Sequence, residues 1–162
     1  MHQVKEMTIR GVGKKLGLVG GFCGILCILI SLIYWPFFSY IHSMNYVLFI
    51  LGIVILIIGL VLHIFSVIQL NKAYKGETLK TDGMYFICRN PMYATLILLI
   101  IPGLSLIINS WLIITASILM YILLRVFIKE EEEFLLNKFG QVYIDYRNRT
   151  CLVFPTIWKK GN

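Results

Sequence analysis

Two long stretches of this chain carry no Asp, Glu, Lys or Arg: the residues between Lys15 and Lys72, and those between Arg89 and Arg125. A helix crosses the hydrocarbon core of a bilayer in about 20 residues, so each stretch is read as passing twice and turning back on itself. The first breaks between Tyr34 and Asn45. There Pro36 lacks an amide proton and disfavours helix in the residue before it, while Tyr34, Trp35, Tyr40 and His42 favour the headgroup layer. The second breaks at Asn109-Ser110-Trp111. The pattern predicts spans near 16–35, 45–69, 92–109 and 111–129. Pro102-Gly103 predicts a kink in the third span, tolerated in a bundle because neighbouring helices or Ser105 can satisfy the freed backbone groups. After the fourth span, Leu135, Phe139, Val142, Tyr143 and Tyr146 recur at helical spacing and predict an amphipathic helix over 130–148.

Charge sets the orientation. Lys5, Arg10, Lys14 and Lys15 precede the first span, Lys72, Lys75, Lys80 and Arg89 separate the second from the third, and the remaining cations follow from Arg125 onward. Neither turn, near 36–44 or 109–111, contains Lys or Arg. The positive-inside rule then puts both termini and the central loop in the cytoplasm, and an even number of spans requires the termini to share a side. The expected fold is all-α: a polytopic membrane bundle of four transmembrane helices with a C-terminal cytoplasmic amphipathic helix, one domain over 1–162.

Composition agrees, at 59% hydrophobic and 14% charged residues, more apolar than a soluble domain can bury. The net charge of +7 is spread over segments flanking the spans, where anionic lipid explains it and nucleic acid is not expected. The N-terminal basic region precedes an apolar run longer than a signal peptide, so it reads as a retained span. Cys23 and Cys27 lie one helical turn apart in the first span, and Cys88 and Cys151 are isolated; small hydrophobes are expected, not a metal site or disulfide framework. Gly17, Gly20, Gly21 and Gly24 give small-xxx-small spacings expected to bring helices close. Gly11-Val12-Gly13 follows no strand and precedes a span, so it is not read as a phosphate loop. His63, inside the second span, reads as a buried side chain bonded to a neighbouring helix.

The dense polar chemistry lies in the loop 70–93, above all in residues 79–93. Pro91 suits a first helical turn, which sets Arg89, Asn90 and Tyr93 at a helix N-terminus able to receive an anionic group. A capped loop with snorkelling cations has the same pattern. Glu130-Glu131-Glu132-Glu133 opens the last helical segment; four adjacent carboxylates fan around a helix, so one or two of them can face inward and the others are a solvated helix start.

Leu79, Thr81, Gly83, Tyr85, Arg89, Pro91, Tyr93, Glu131, Glu132, Leu135, Phe139, Gly140, Tyr143 and Tyr146 stand in the order and spacing of a known pattern. It runs Leu-x-Thr-x-Gly-x-Tyr, Arg-His-Pro-x-Tyr, a helical hairpin, Glu-Glu, Phe-Gly and spaced tyrosines. Over roughly 70–155 the sequence thereby resembles the isoprenylcysteine carboxyl methyltransferases and their relatives, the membrane phospholipid methyltransferases. The resemblance implies a cofactor, S-adenosyl-L-methionine, bound between the loop and the acidic pair. Leu79, Tyr85, Arg89, Asn90, Pro91, Met92, Tyr93, Glu131 and Glu132 would form its site. Two positions depart from the pattern. Asn90 replaces the family's histidine and cannot titrate near neutrality; the family's substrate arginine falls on Phe127, leaving Arg125 to position substrate.

The expected activity is S-adenosylmethionine-dependent methyl transfer to a lipophilic or lipid-linked acceptor reached from the bilayer. A carboxylate or thiol acceptor is favoured because Asn90 cannot deprotonate an ammonium. The alternative is N-methylation of a phospholipid amine. From other classes, the alternative is a small non-catalytic four-span transporter or assembly protein; a proton-coupled transporter is opposed by the absence of any Asp or Glu within the apolar stretches. A nicotinamide-dependent membrane reductase is opposed by the Glu-Glu to Phe-Gly-x-x-Tyr ending. No metal is expected and no oligomeric state follows from the sequence.

Overall fold

The computed structural model describes residues 10–41 and 45–155. His42 and both termini, with the expectation that the termini share the cytoplasmic side, lie outside the described residues. The elements are α1 Arg10–Ile33, the single turn α2 Trp35–Phe38, α3 Tyr46–Lys75, the single turn α4 Met84–Ile87, α5 Pro91–Thr95, a π-helical turn Leu96–Ile100, α6 Ile101–Ile108, α7 Leu112–Phe139 and α8 Gln141–Arg149. Among the described residues, four helices are long and apolar enough to cross a membrane: Leu16–Ile33, Tyr46–Ala73, Pro91–Ile108 and Leu112–Phe139. The third is continuous through α5, the π-turn and α6.

The kink expected at Pro102 takes the form of that π-turn. A proline inside a helix removes one hydrogen bond and crowds the carbonyl four residues earlier; a widened turn just upstream accommodates both. The third span packs between α3 on one side and α7 on the other, and α1 packs on the far side of α7. Accordingly 44% of the third span's apolar window is buried, against 11% for α1 and for α3. Lipid covers the outer faces of the flanking helices, which is why α3 is apolar all round instead of amphipathic.

Close helix approach occurs at glycines other than those expected. A Cβ at Gly52 would lie 2.8 Å from the Gly103 carbonyl oxygen, and one at Gly59 would lie 2.9 Å from Leu99 Cβ. The backbones of α3 and the third span therefore touch. Of the four α1 glycines singled out above, Gly20 meets a neighbour, Met120; Gly17, Gly21 and Gly24 have nothing within 4 Å. The expectation for the α1 glycines is corrected to that one residue, because the other three have open space where a side chain would stand.

At the end without Lys or Arg, hydrogen bonds join the two turns. Trp111 N–H donates to Phe38 O at 3.0 Å, and Asn109 Nδ2 donates to Ile41 O at 2.7 Å. Ser110 Oγ donates to Ser31 Oγ at 2.8 Å and Ser105 Oγ to Ser110 O at 2.7 Å, leaving Tyr40 to donate to Ser105 across 2.7 Å. Ser31, Ser105 and Ser110 are fully buried, so each needs such a partner in an apolar surround.

At the opposite, charged end the structure differs from the expected boundaries. No break occurs near residue 130: α7 continues to Phe139, and the chain turns at Gly140, whose φ of 55° favours glycine. The four glutamates thus lie on the continuation of the fourth helix beyond its apolar part, and only α8 folds back.

Candidate functional site

The loop between α3 and α5 is held from beneath by α3. Gln69 Oε1 accepts a hydrogen bond from Met84 N–H at 3.1 Å, and Gly83 sits directly over that side chain with φ 61°. A Cβ on Gly83 would come within 2.8 Å of the Gln69 amide and push it aside; the conformation is what favours glycine there. Nearly two turns deeper in α3, His63 Nδ1 lies 3.1 Å from Met92 O and 3.0 Å from Thr95 Oγ1. Because a carbonyl only accepts, Nδ1 carries the proton in that contact. The bonded histidine expected from the sequence thus fixes the start of α5.

The loop is held from above by α8 and the segment after it. Tyr146 Oη donates to Tyr85 O at 2.7 Å. Arg89 N–H donates to Cys151 O at 2.8 Å and Asn90 N–H to Leu152 O at 3.1 Å. The Arg89 guanidinium pairs with Glu132 Oε1 at 2.9 Å and donates to Arg147 O at 2.8 Å and Thr150 O at 3.1 Å. With 14% and 17% of their side chains exposed, Arg89 and Glu132 form a largely buried pair. It fastens the loop to α7, α8 and the tail at once.

These supports enclose a cavity of about 170 Å³. Val67, Leu70 and Asn71 of α3 form one wall; Ile128, Glu131 and Leu135 of α7 face them, and Tyr143 and Tyr146 close it from α8. Glu77, Lys80 and Lys138 stand at its polar rim. Of the residues expected at a cofactor, Leu79, Tyr85, Arg89, Asn90, Met92, Tyr93, Glu131 and Glu132 line this one space. Pro91 does not; it is fully buried at the start of α5. Arg125 is absent from this lining and lines a neighbouring cleft. Six residues along a helix rotate a side chain by about 240°, so Arg125 and Glu131 belong to different faces of α7.

The two central glutamates have different surroundings. Glu132 is held by Arg89, with Arg147 Nε a further 3.9 Å from its other oxygen. Glu131 lines the cavity, half-buried, with no hydrogen bond or ion pair among the described residues. A carboxylate in such a place seeks a cation or a hydrogen-bond donor.

Tyr143, Tyr146 and Cys88 beside the cavity remain uncharged near neutrality. Burial, reinforced by Glu132, raises the Tyr143 hydroxyl above its ordinary range; burial likewise raises Tyr146, with Cys88 adding to it. Burial pushes the Cys88 thiol up to about 11. The tyrosines therefore act as neutral hydrogen-bonding groups and Cys88 is not a thiolate nucleophile near neutrality. At the exposed edge of the loop, Lys80 Nζ sits 2.8 Å from Asp82 and holds that carboxyl below its usual value.

Sequence reasoning did not select Gln69, Asn71 or Lys138. Gln69 and Asn71 are amide side chains placed just before the cations that end a mostly apolar helix, a signal of a polar neighbour at that depth. Lys138 had no such signal, since a basic residue ending a helix is common on electrostatic grounds alone.

The arrangement has an acidic group in an apolar-walled cavity at the charged end of a membrane bundle, with a mobile-proton base absent at Asn90. A search among curated proteins found no match. The family model described as phospholipid methyltransferase matches residues 46–142, more than half of the chain, from the start of α3 through the cavity-lining part of α7 into α8. By this match the chain belongs to the phospholipid methyltransferase family.

Proposed function

We propose that the protein is an integral membrane methyltransferase dependent on S-adenosyl-L-methionine, with the cofactor held in the cavity between α3, the loop and α7. The observation that carries this reading is Glu131: a half-buried carboxylate without a partner, facing the space that the loop residues also line. Glu131 fits a cationic amine or a ribose hydroxyl of such a nucleoside. Tyr85, Tyr93 and the apolar side chains of Leu79 and Met92 offer walls for its less polar parts, and Asn90 supplies a neutral donor and acceptor. Lys80 and Lys138 at the rim fit a carboxylate. Arg89 and Glu132 support the site chiefly through each other, and Pro91 through the start of α5.

The bound cofactor supplies an electrophilic methyl group on sulfur. The chain's own residues bind, orient and exclude water, which is the main demand of an in-line displacement. The acceptor in this reading is lipophilic and arrives from the bilayer, with a carboxylate or thiol requiring no base at Asn90. A phospholipid amine is the second reading, favoured by the family match and by Glu131, whose unpaired carboxylate is able to attract an ammonium. The charged end is taken as cytoplasmic, where the cofactor is made available.

Titration calorimetry of the purified full chain tests the reading. Saturable binding of S-adenosyl-L-methionine is expected, weakened at least about tenfold in Glu131→Gln, the scale of one charge-assisted bond. Undetectable binding by the unsubstituted protein at millimolar cofactor overturns it. Incubation with methyl-labelled cofactor and defined carboxyl, thiol and amine lipids then separates the acceptors.

A further inference from the structure

Behind the Arg89–Glu132 pair lies a second, more open cleft of about 470 Å³ between α7, α8 and the tail. It shares Arg89, Glu132 and Ile128 with the first cavity, so the ion pair stands in the partition between them. Its charge balance differs. Arg89, Arg125, Lys129 and Arg147 line it against only Glu132 and Glu133. Glu132 already faces Arg89 at 2.9 Å and Arg147 at 3.9 Å, which leaves Arg125 and Lys129 facing Glu133.

Arg125 and Lys129 are one helical turn apart, a spacing at which two side chains reach a common group. Arg125 has a single long contact, 3.4 Å from Nη1 to the Tyr121 hydroxyl. Lys129 makes no ion pair or hydrogen bond among the described residues. They are the first charges after the apolar run that begins at Leu112, at the depth where headgroups meet the helix. Ile128, Leu136 and Leu152 give the cleft an apolar floor. Exposed Ile118, Ile122 and Val126 continue from the two cations toward the membrane centre, forming a track for an acyl chain.

We infer that this cleft is a binding site for the phosphate group of one anionic phospholipid, held by Arg125 and Lys129 with its acyl chain along Ile122 and Ile118. A free phosphate would use the same cations but not the apolar track. The inference stands apart from methyl transfer and from the contents of the first cavity.

Native mass spectrometry of the full chain in neutral detergent, with added phosphatidylglycerol or phosphatidylcholine, tests it. The unsubstituted protein retains phosphatidylglycerol preferentially, and Arg125→Gln/Lys129→Gln lowers that preference by about fivefold for each cation removed. The control is Lys72→Gln/Lys75→Gln, which removes the same charge from the exposed end of α3 and retains the preference. Equal losses in the two double variants would reduce the effect to general attraction and overturn a site. So would unchanged retention in Arg125→Gln/Lys129→Gln. Displacement of the adduct by an equal concentration of inorganic phosphate would overturn the lipid as occupant. Helical circular dichroism of both variants confirms that each comparison is made between folded proteins.

Discussion

Arg89 is the residue on which the charged end converges. Removing its guanidinium leaves Glu132 buried with only the distant Arg147 and strips two carbonyls of a donor. Breaking one side of a largely buried pair costs about 3–5 kcal/mol. Arg89→Ala is therefore expected to lower the thermal midpoint in detergent more than Glu131→Gln does, since Glu131 has no partner to lose. Equal midpoints for the two variants would contradict the roles assigned to them. The sequence pattern marked Arg89, Glu131 and Glu132 alike as cofactor residues. It could not distinguish them, because the distinction lies in which glutamate the Arg89 side chain reaches, and that depends on how α8 and the tail fold over the loop. Gln69 was illegible for a related reason: its partner, Met84 N–H, lies 15 residues away, across a loop whose path no periodicity describes.

At the scale of elements, hydrophobic patterning was informative where lipid alone decides the outcome. The four spans and both turns follow from apolar length and from Pro36, Asn109 and Trp111. Patterning was less informative where helices meet one another. Gly17, Gly21 and Gly24 have the spacing of a contact surface but meet no neighbour within 4 Å, while Gly52 and Gly103, less conspicuous in sequence, set the closest crossing. Spacing along one helix contains no information on which partner its face meets. Gly103→Ala is accordingly expected to destabilise the bundle by about 1–3 kcal/mol through overpacking against α3, with Gly21→Ala within about 0.5 kcal/mol of the parent. Thermal midpoints in one detergent compare them. The continuation of α7 to Phe139 was hidden because the pattern's change at residue 130 marks the membrane's edge, not the helix's end. The helix ends ten residues later, at a glycine with positive φ.

For the whole molecule, charge segregates to the end that holds both cavities, and a buried serine and asparagine network ties the other. The two ends are expected on opposite faces of the membrane. In a cysteine-free background, Ile41→Cys should react with an impermeant maleimide added outside intact cells, and Thr78→Cys only after the membrane is opened. The reverse pattern would invert the orientation taken above. Helix order across the bundle, with the third span central and α1 outermost beside α7, lay beyond the sequence because every span is apolar enough to face either lipid or protein.

The pairing of Arg89 and Asn90 with the carbonyls of Cys151 and Leu152 has a bearing on how the protein is made. A ribosome that has synthesised all four spans has not yet synthesised the strap that closes over the loop. Val153, buried in the same cluster as Leu124 and Ile128, arrives later still. Residues 150–153 are thus the last of the loop's partners to be synthesised, and a chain ending before residue 150 lacks the carbonyls to which the Arg89 and Asn90 amides donate.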